Sequence, residues 1–352
     1  MPVSSVVGMT SDMLAVASQS GETVEFFELD RYRHLGSVMV PPEPHEVLLD
    51  PARRLLYVSH TYRSGHYLDH TGHAQQLSII DVDSRQIVDI LDLAPERAPH
   101  GLHLDAGRDL LYVSVEAGPA GPGGLLVLDA SRRKVVGRID AEADQPHWFA
   151  VTPDGATAYT ANKRAAYISV LDLGNGTIVN RIPVPGTEEI TATPDGRYVY
   201  AAAPAIDPAT AAEAGGRILV IDTTTHRVIN TIATALPVSP LHVTTGGTLL
   251  AGQWRHTIGT DGEFTPLDGV LNTYDTDDWT LTGTTDTQRL PINIRSDPSG
   301  RRAFVSNLNS GTVSVVELPS MRTLTVLTVD RSGRTTGKRY GQGAHGLTFI
   351  SR

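Results

Sequence analysis

The sequence predicts an all-β protein, a seven-bladed β-propeller with four antiparallel strands per blade and a last blade closed by N- and C-terminal strands. Three observations support this prediction. One phrase recurs along the chain, each copy introduces a set of short segments that alternate apolar and polar residues, and the final copy is incomplete. Self-similarity at a fixed period is typical of repeat folds such as propellers.

The repeated phrase marks the first two strands of each blade. It reads PHEVLLDPARRLLYVSH at 44–60, PHGLHLDAGRDLLYVSV at 99–115 and PHWFAVTPDGATAYTAN at 146–162. Copies follow one another at intervals of roughly 41 to 55 residues, enough for one four-stranded blade. First strands are predicted to begin near His45, His100, His147, Glu188, Ser239, Ile292 and His345.

The third repeat shows the internal plan of a blade. Strands are predicted at about 147–152, 157–162, 166–172 and 177–183, where apolar and polar residues alternate as in half-buried strands. The first two strands are joined by TPDGA at 152–156. Proline followed by aspartate and glycine predicts a tight type I turn, because proline fixes φ at the first corner.

The ends of the chain complete the seventh blade. After His345 only GLTFISR remains, whereas strand-like segments occur near the N-terminus: MLAVASQ (13–19), TVEFFEL (23–29) and HLGSVMV (34–40). We predict one propeller domain over 1–352, with blade 7 formed from 344–350 and 13–40. Closing the ring in this way protects sheet edges that would otherwise pair with other chains.

The second strands carry a family resemblance. The segments YVSH (57–60), YVSV (112–115), YTAN (159–162), YAAA (200–203) and FVSN (304–307) resemble the YVTN-repeat, lactonase-like seven-bladed propellers. The resemblance covers nearly the whole chain, although the fifth blade, with LLAGQW, departs furthest. It implies the fold, but it does not select an activity, because such scaffolds carry many.

Composition narrows the class of function. A net charge of −10 without long runs of one sign argues against a nucleic-acid partner. The absence of cysteine excludes disulfides, thiolate metal sites and Fe–S clusters. No apolar stretch approaches the length of a membrane helix, and the N-terminus does not have a signal-peptide pattern. We therefore expect a cytoplasmic protein that acts on a small molecule, with no membrane partner and with its oligomeric state open.

Long connections are predicted on one face of the propeller. They join second to third strands at 59–76, 115–124, 203–216 and 252–269, and a further one at 329–344 enters blade 7. Turns on the opposite face are short. Because long loops in compact domains are usually functional or disordered, this bias predicts the face that binds a ligand.

Histidines recur on the same face. His45, His100, His147 and His345 occupy one equivalent position, at the channel end of the innermost strand, in four neighbouring blades. Glu188 continues the arc. Imidazoles and a carboxylate around a narrow axis predict a transition-metal site, with Fe or Cu favoured, Zn as an option and Mg as the alternative for a non-redox reaction. The arrangement is similar to that of carotenoid-cleaving oxygenases, without shared sequence motifs.

The remaining blades offer less distinctive residues at this position. If the register shifts by one, Glu189 replaces Glu188; blade 5 offers Ser239 or His242, and blade 6 offers Ile292 and Asn293. The histidine after proline is also explained by duplication of a repeat in which it only fills the channel. Acid–base histidines without a metal are a third interpretation.

Further candidates surround the arc. Glu188, His60 and Glu116 are candidate catalytic groups, and the candidate substrate-binding residues are Tyr62, His66, Trp254, Arg255, Arg339 and Tyr340. Each also has a structural explanation, as a packing residue, a surface ion pair or part of a polar loop.

Three functions remain open at this level. The first is a metal-dependent enzyme on a small organic molecule, an oxidase or oxygenase. The second is a lyase, cyclase or lactonase that uses His and Glu as acid and base, with or without Mg²⁺. The third is a non-catalytic binding scaffold.

Overall fold

The described part of the chain forms seven antiparallel sheets of four strands each, arranged as a ring. The structure is a computed structural model, and it describes residues 11–66, 69–184, 186–203, 215–258, 264–329, 332 and 342–352. Across these residues there is no helix, so none is long and apolar enough to cross a membrane. The predicted all-β, seven-bladed propeller is confirmed.

The strands are numbered in chain order. The N-terminal strands are β1 (Met13–Ser18), β2 (Thr23–Glu28) and β3 (Arg33–Met39). Blade 1 contains β4 (Pro44–Asp50), β5 (Leu55–His66), β6 (Asp69–Asp81) and β7 (Gln86–Asp92). Blade 2 contains β8 (Leu102–Asp105), β9 (Leu110–Val115), β10 (Gly123–Asp129) and β11 (Lys134–Ala143). Blade 3 contains β12 (Pro146–Val151), β13 (Thr157–Asn162), β14 (Tyr167–Asp172) and β15 (Thr177–Pro183).

The second half of the ring repeats this plan. Blade 4 contains β16 (Ile190–Ala192), β17 (Tyr198–Ala203), β18 (Gly216–Asp222) and β19 (Arg227–Thr234). Blade 5 contains β20 (Val238–Val243), β21 (Leu249–Ile258), β22 (Phe264–Tyr274) and β23 (Leu281–Arg289). Blade 6 contains β24 (Pro291–Ser296), β25 (Arg302–Asn307), β26 (Thr312–Glu317) and β27 (Arg322–Thr328), and β28 (Ala344–Ile350) follows.

The seventh blade joins the two ends of the chain. Its strand order is β28, β1, β2, β3, and β28 pairs antiparallel with β1, with Met13 opposite Ile350 and Val16 opposite Leu347. Each inner strand contacts those of its neighbours, and β28 contacts β4, so the ring is closed. Closure by N- and C-terminal strands is therefore confirmed.

Apolar side chains fill the space between adjacent blades. One buried cluster joins Ala15 and Phe26 of blade 7 to Val47, Val58 and Ile80 of blade 1. This packing follows from the alternation in the sequence, which points every second side chain of a strand toward the neighbouring blade.

Tight turns end the inner strands on the face opposite the histidines. In blade 3 the Gly155 N–H donates to the Thr152 carbonyl at 2.8 Å, and the Thr152 hydroxyl donates to Asp154 at 2.6 Å. Gly155 has φ of +68°, a conformation that glycine adopts without strain. The turn therefore fixes β12 and β13 at the end farthest from His147.

Two of the predicted long loops are strand extensions instead. Residues 59–76 lie mostly in β5 and β6, which continue past the sheet as a hairpin with Gly65 opposite His70. Residues 252–269 lie similarly in β21 and β22. The loop prediction was wrong there, because polar and histidine-rich segments hide the strand pattern. The connections at 203–216 and 329–344 lie mostly outside the described residues.

Candidate metal centre

Four histidine rings lie side by side where the inner strands of blades 7, 1, 2 and 3 begin. Ring centroids are 3.7 Å apart for His345 and His45, 3.9 Å for His45 and His100, and 3.5 Å for His100 and His147. Alternate rings are farther apart, at 6.4 Å for His345 and His100 and 6.1 Å for His45 and His147. All four side chains are buried. The structure thus brings them together as a row beside the axis.

Serine hydroxyls fix the backbone of three of these histidines. Each serine lies on the second strand of the preceding blade and donates to a histidine carbonyl: Ser59 to His100 at 2.7 Å, Ser114 to His147 at 2.5 Å, and Ser306 to His345 at 2.6 Å. These are the serines of YVSH, YVSV and FVSN. The serines of the repeat motif therefore fix the register that aligns the rings. This role of the serines was not predicted from the sequence.

Blade 7 approaches blade 1 closely at this level. A Cβ atom built on Gly346 would lie 2.4 Å from the His45 carbonyl oxygen and 2.6 Å from the Glu46 Cα. Only glycine fits there, since any side chain would push the two inner strands apart. This close approach brings the ring of His345 beside that of His45.

Three of the rings form a set of donors suited to a metal ion. One ligand atom from each of His45, His100 and His147 lies within 4.8 Å of the others, and all three residues are buried. Neither ring nitrogen of His100 has a hydrogen-bond partner among the described residues. Buried polar atoms are normally paired, so two unpaired nitrogens in this position fit a ligand that the protein itself does not supply. A metal ion fits this triad.

Burial favours the form that binds metals for the rings of His100 and His147. Burial lowers the pKa of His100 well below its usual range, and the neighbouring imidazoles lower it further. Burial and the Lys163 ammonium do the same for the pKa of His147. The neutral form of imidazole has a free lone pair, and metal coordination requires that lone pair.

Glu46 adds a carboxylate that the sequence analysis did not identify. Its Oε1 atom lies 3.2 Å from Nδ1 of His345 and 3.8 Å from Nδ1 of His45. Its Oε2 accepts a 2.9 Å hydrogen bond from the Asn293 amide. These three donors, His45, Glu46 and His345, form a second group within 4.8 Å. The available signal was its position directly after a channel histidine.

Trp148 forms an apolar wall beside the triad. Its ring centroid lies 4.7 Å from that of His100 and 4.3 Å from that of His147, both edge to face. The indole N–H is buried without a hydrogen-bond partner among the described residues. Trp148 therefore limits the space around the donors and leaves one N–H available to a bound molecule.

The two glutamates of blade 4, Glu188 and Glu189, contact different groups. Glu188 places Oε2 at 3.8 Å from Nδ1 of His147 and Oε1 at 3.2 Å from the Lys163 ammonium. Glu189 lies 3.9 Å from the Arg295 guanidinium, and burial raises the pKa of Glu189 well above its usual range. Glu188 is therefore the one that continues the histidine row.

In blades 5 and 6, the described residues at the equivalent position do not extend the histidine row. Ser239 is fully buried, whereas Nε2 of His242 is 3.0 Å from the Ser296 hydroxyl of blade 6. Ile292 belongs to an apolar core cluster, and Asn293 binds Glu46. Among the described residues, the candidate metal donors thus lie in blades 7, 1, 2 and 3.

Comparisons with known proteins agree with this fold. No family model matches the chain. It is 21% identical over 267 residues to the uncharacterized protein YncE of Salmonella typhi and to that of Salmonella typhimurium, covering 75% of this chain and 68% of each relative. Among solved structures, hydrazine synthase of Kuenenia stuttgartiensis aligns with a TM-score of 0.66 at 17% identity, over 86% of this chain and 91% of that one. A functionally unknown protein from Desulfotomaculum acetoxidans aligns with a TM-score of 0.67 at 13% identity, over 97% and 99%.

These similarities show the fold, and they do not show which reaction or ligand the site serves. Identities of 13–17% show a shared seven-bladed fold alone. The YVTN and lactonase-like resemblance receives no support from a family model. The function must therefore be argued from the residues around the axis.

His60 lies inside blade 1 and not in the histidine row. Its Nε2 is 2.8 Å from the Ser78 hydroxyl, and its Nδ1 is 3.3 Å from the Pro42 carbonyl. Because both nitrogens bind protein groups, the structure gives His60 a structural position rather than the catalytic one considered from the sequence. Burial lowers its pKa from 6.5 to about 4, although the carbonyls of Pro42 and Pro41 oppose the shift.

His60 will make the protein less stable in acid. Its folded pKa lies below the unfolded value, so between pH 6.5 and 4 the unfolded chain binds the proton and the folded chain does not. The free energy of unfolding therefore falls as the pH decreases through this window, by up to about 3 kcal/mol from this group. Urea titrations at pH 7 and pH 4.5 will show a smaller pH-dependent loss in His60→Gln. Equal losses in both proteins would contradict this prediction.

Tyr62 and Glu116 bind each other on the face that carries the hairpin extensions. The Tyr62 hydroxyl donates to Glu116 Oε1 at 2.7 Å, and the Gln145 amide donates to the same atom at 3.1 Å. Nε2 of His73 is 3.4 Å from Glu116 Oε2. Burial and the Glu116 charge raise the pKa of Tyr62. This polar group joins blades 1 to 3; the side chain of His66, at the end of β5, lies outside the described residues.

The other candidate substrate residues have different positions. Trp254 is buried, and its indole N–H donates to the Pro291 carbonyl at 2.8 Å, so it packs between blades 5 and 6. Arg255 is exposed and pairs with Asp286 at 2.9 Å. Neither belongs to the histidine row. Arg339 and Tyr340 lie outside the described residues.

Proposed function

We propose that the protein is a metal-dependent enzyme whose catalytic ion is held by His45, His100 and His147, and that it uses O₂ to oxidise a small organic molecule at the channel mouth. One observation carries the proposal. Three buried imidazoles from consecutive blades converge, and both nitrogens of the central ring, His100, have no partner among the described residues.

The donor set determines the class of metal. Neutral imidazole binds Zn, Fe, Cu and Ni, and the redox-active ions Fe and Cu are the ones that support oxidation. Catalytic sites commonly use three protein ligands and leave a position open to water or substrate, whereas structural zinc sites use four. A bound ion would supply Lewis-acid or redox chemistry to a substrate in that open position.

Residues around the triad are placed to orient a ligand histidine, to balance charge and to exclude water. The Glu188 carboxylate is 3.8 Å from Nδ1 of His147, so a small rotation would let it accept a hydrogen bond from that ring while His147 holds the ion. Such a partner fixes the ring orientation and makes the ligand more basic. Lys163 balances the charge of Glu188 at 3.2 Å, and Trp148 excludes water from one side of the triad.

Metal analysis of the purified protein tests this proposal directly. We expect at least one equivalent of Fe, Cu or Zn per chain in protein purified without a histidine tag, retained after desalting. Metal-free protein should recover the same content when Fe²⁺ or Cu²⁺ is added under reducing or aerobic conditions, respectively. Less than about one-tenth of an equivalent in both experiments would refute the metal centre.

A second candidate function is favoured by the buried carboxyl of Glu189. Burial raises its pKa, and a carboxyl group shifted in that direction is the kind that an acid–base lyase, cyclase or lactonase uses as a general acid. Nitric oxide, a probe for sites that bind O₂, separates the two candidates. Fe²⁺-loaded protein should give the high-spin Fe–NO signal in electron paramagnetic resonance if the ion has an open position for oxygen. Bound Fe²⁺ without this signal would favour the acid–base function.

A further inference from the structure

The histidine row continues past the triad to a second set of donors on the blade 7 side. His45, Glu46 and His345 are all buried and place one donor atom each within 4.8 Å of the others. We propose that this set binds a second metal ion beside the first, so that the channel holds a pair of ions that share the ring of His45. The inference rests on the proposed metal centre and adds a site to it.

The distances around Glu46 suit an ion between the three donors. Its Oε1 atom is 3.2 Å from Nδ1 of His345 and 3.8 Å from Nδ1 of His45. Nitrogen and oxygen ligands about 2.0–2.2 Å from a tetrahedral ion lie roughly 3.4 Å from each other. The observed separations lie close to this value, so the ion fits with small side-chain adjustments. Within the described chain, the imidazoles of His45 and His345 are the polar groups that face Glu46 Oε1.

The surrounding contacts hold Glu46 in this orientation. The Asn293 amide donates to Oε2 at 2.9 Å, and the Glu46 N–H donates to the Ser59 hydroxyl at 3.1 Å. The other carboxylate oxygen is thereby directed at the imidazoles of His45 and His345. A carboxylate fixed through one oxygen, with the second facing two imidazoles, is a typical ligand arrangement.

The shape of the row argues for two ions rather than four ligands on one. The donor atoms that lie within 4.8 Å of one another form two groups, His45 with His100 and His147, and His45 with Glu46 and His345. Neighbouring rings are 3.5–3.9 Å apart, whereas alternate rings are 6.1–6.4 Å apart. The row therefore divides into two donor sets at His45, which belongs to both. An imidazole can bind one ion through each nitrogen, and when it does so it releases its remaining N–H proton to solvent.

Counting bound ions in matched variants tests the second site. Metal-free protein is titrated with Cu²⁺, desalted and analysed for copper per chain. We expect two ions in the wild type, one in Glu46→Gln and one in His147→Ala, because each variant loses a different set. His345→Asn should also bind one ion, which covers the case that Glu46→Gln does not fold. His242→Asn, which changes a histidine outside both sets that lies 3.0 Å from the Ser296 hydroxyl, should still bind two.

Magnetic coupling gives a readout that does not depend on stoichiometry alone. Two Cu²⁺ ions joined by one imidazole ring couple their spins, so the wild type should show well under two spins per chain. Glu46→Gln should show one full spin. If the wild type binds one ion and Glu46→Gln also binds one, the second site is refuted. The proposed triad would then still stand. A wild type with no ion would overturn the proposed function itself.

Discussion

His100→Ala will lower the affinity of the triad for Co²⁺ or Cu²⁺ by at least roughly 100-fold, and turnover with it. His100 is the central ring, 3.9 Å from His45 and 3.5 Å from His147 between centroids, and no other described group binds its nitrogens. Loss of an outer hydrogen-bond partner of a ligand already costs 10–100-fold, so loss of a ligand should cost more. Visible absorbance of Co²⁺ during titration measures the affinity.

Thermal unfolding provides an independent measurement of the same effect. A metal that binds only the folded state raises the melting temperature, and the increase grows with the ratio of metal concentration to Kd. We expect Co²⁺ to stabilise the wild type more than His100→Ala. The matched control is His103→Ala, three residues along the chain in β8, whose ring faces Tyr112 and Phe149. The control should bind Co²⁺ like the wild type; equal binding by all three proteins would remove His100 from the site.

The architecture could be predicted because the sequence of each repeat contains the signals for its own strands and turns. Alternating apolar residues specify strands, PDG segments specify turns, and the incomplete final repeat requires strands from the other end of the chain. The pairing of β28 with β1 then follows from the need to cover two sheet edges. Each of these signals is local or nearly so, which makes them readable without coordinates.

The contents of the site were only partly predictable, because they depend on contacts between blades. Equivalent positions in the repeat identify His45, His100, His147 and His345, but not their order of contact. The role of Glu46 depends on Asn293, which is distant in sequence and lies on another blade. Contacts of this kind leave no local pattern.

Predictions for single residues that do not recur in the repeat were the least reliable. His60 was considered as a catalytic group and binds Ser78 and Pro42 within its own blade. A histidine in the sequence looks the same whether its nitrogens face the channel or a neighbouring strand. Only the pairing of β5 with its neighbours, and the burial that results, separates these positions.

Trp254→Ala will lower the free energy of unfolding by about 4 kcal/mol, because it leaves a large cavity between blades 5 and 6. The side chain is 2% exposed, belongs to the core cluster that contains Leu290 and Ile292, and donates its N–H to Pro291. Trp254→Phe fills most of that space but leaves the Pro291 carbonyl without this donor, so a loss of about 1–2 kcal/mol is expected. Urea unfolding monitored by circular dichroism measures both values.

The neighbouring residue separates packing from substrate binding. Arg255 is adjacent in sequence but exposed, so Arg255→Ala should change the free energy of unfolding by less than about 1 kcal/mol. If Trp254 stacked on a substrate in the channel, its replacement by alanine would spare stability and impair only binding. A destabilisation as small as that of Arg255→Ala would therefore contradict the packing role. A large one would mean that the channel ligand is recognised elsewhere, by groups such as Trp148 and Glu188 that lie beside the histidine row.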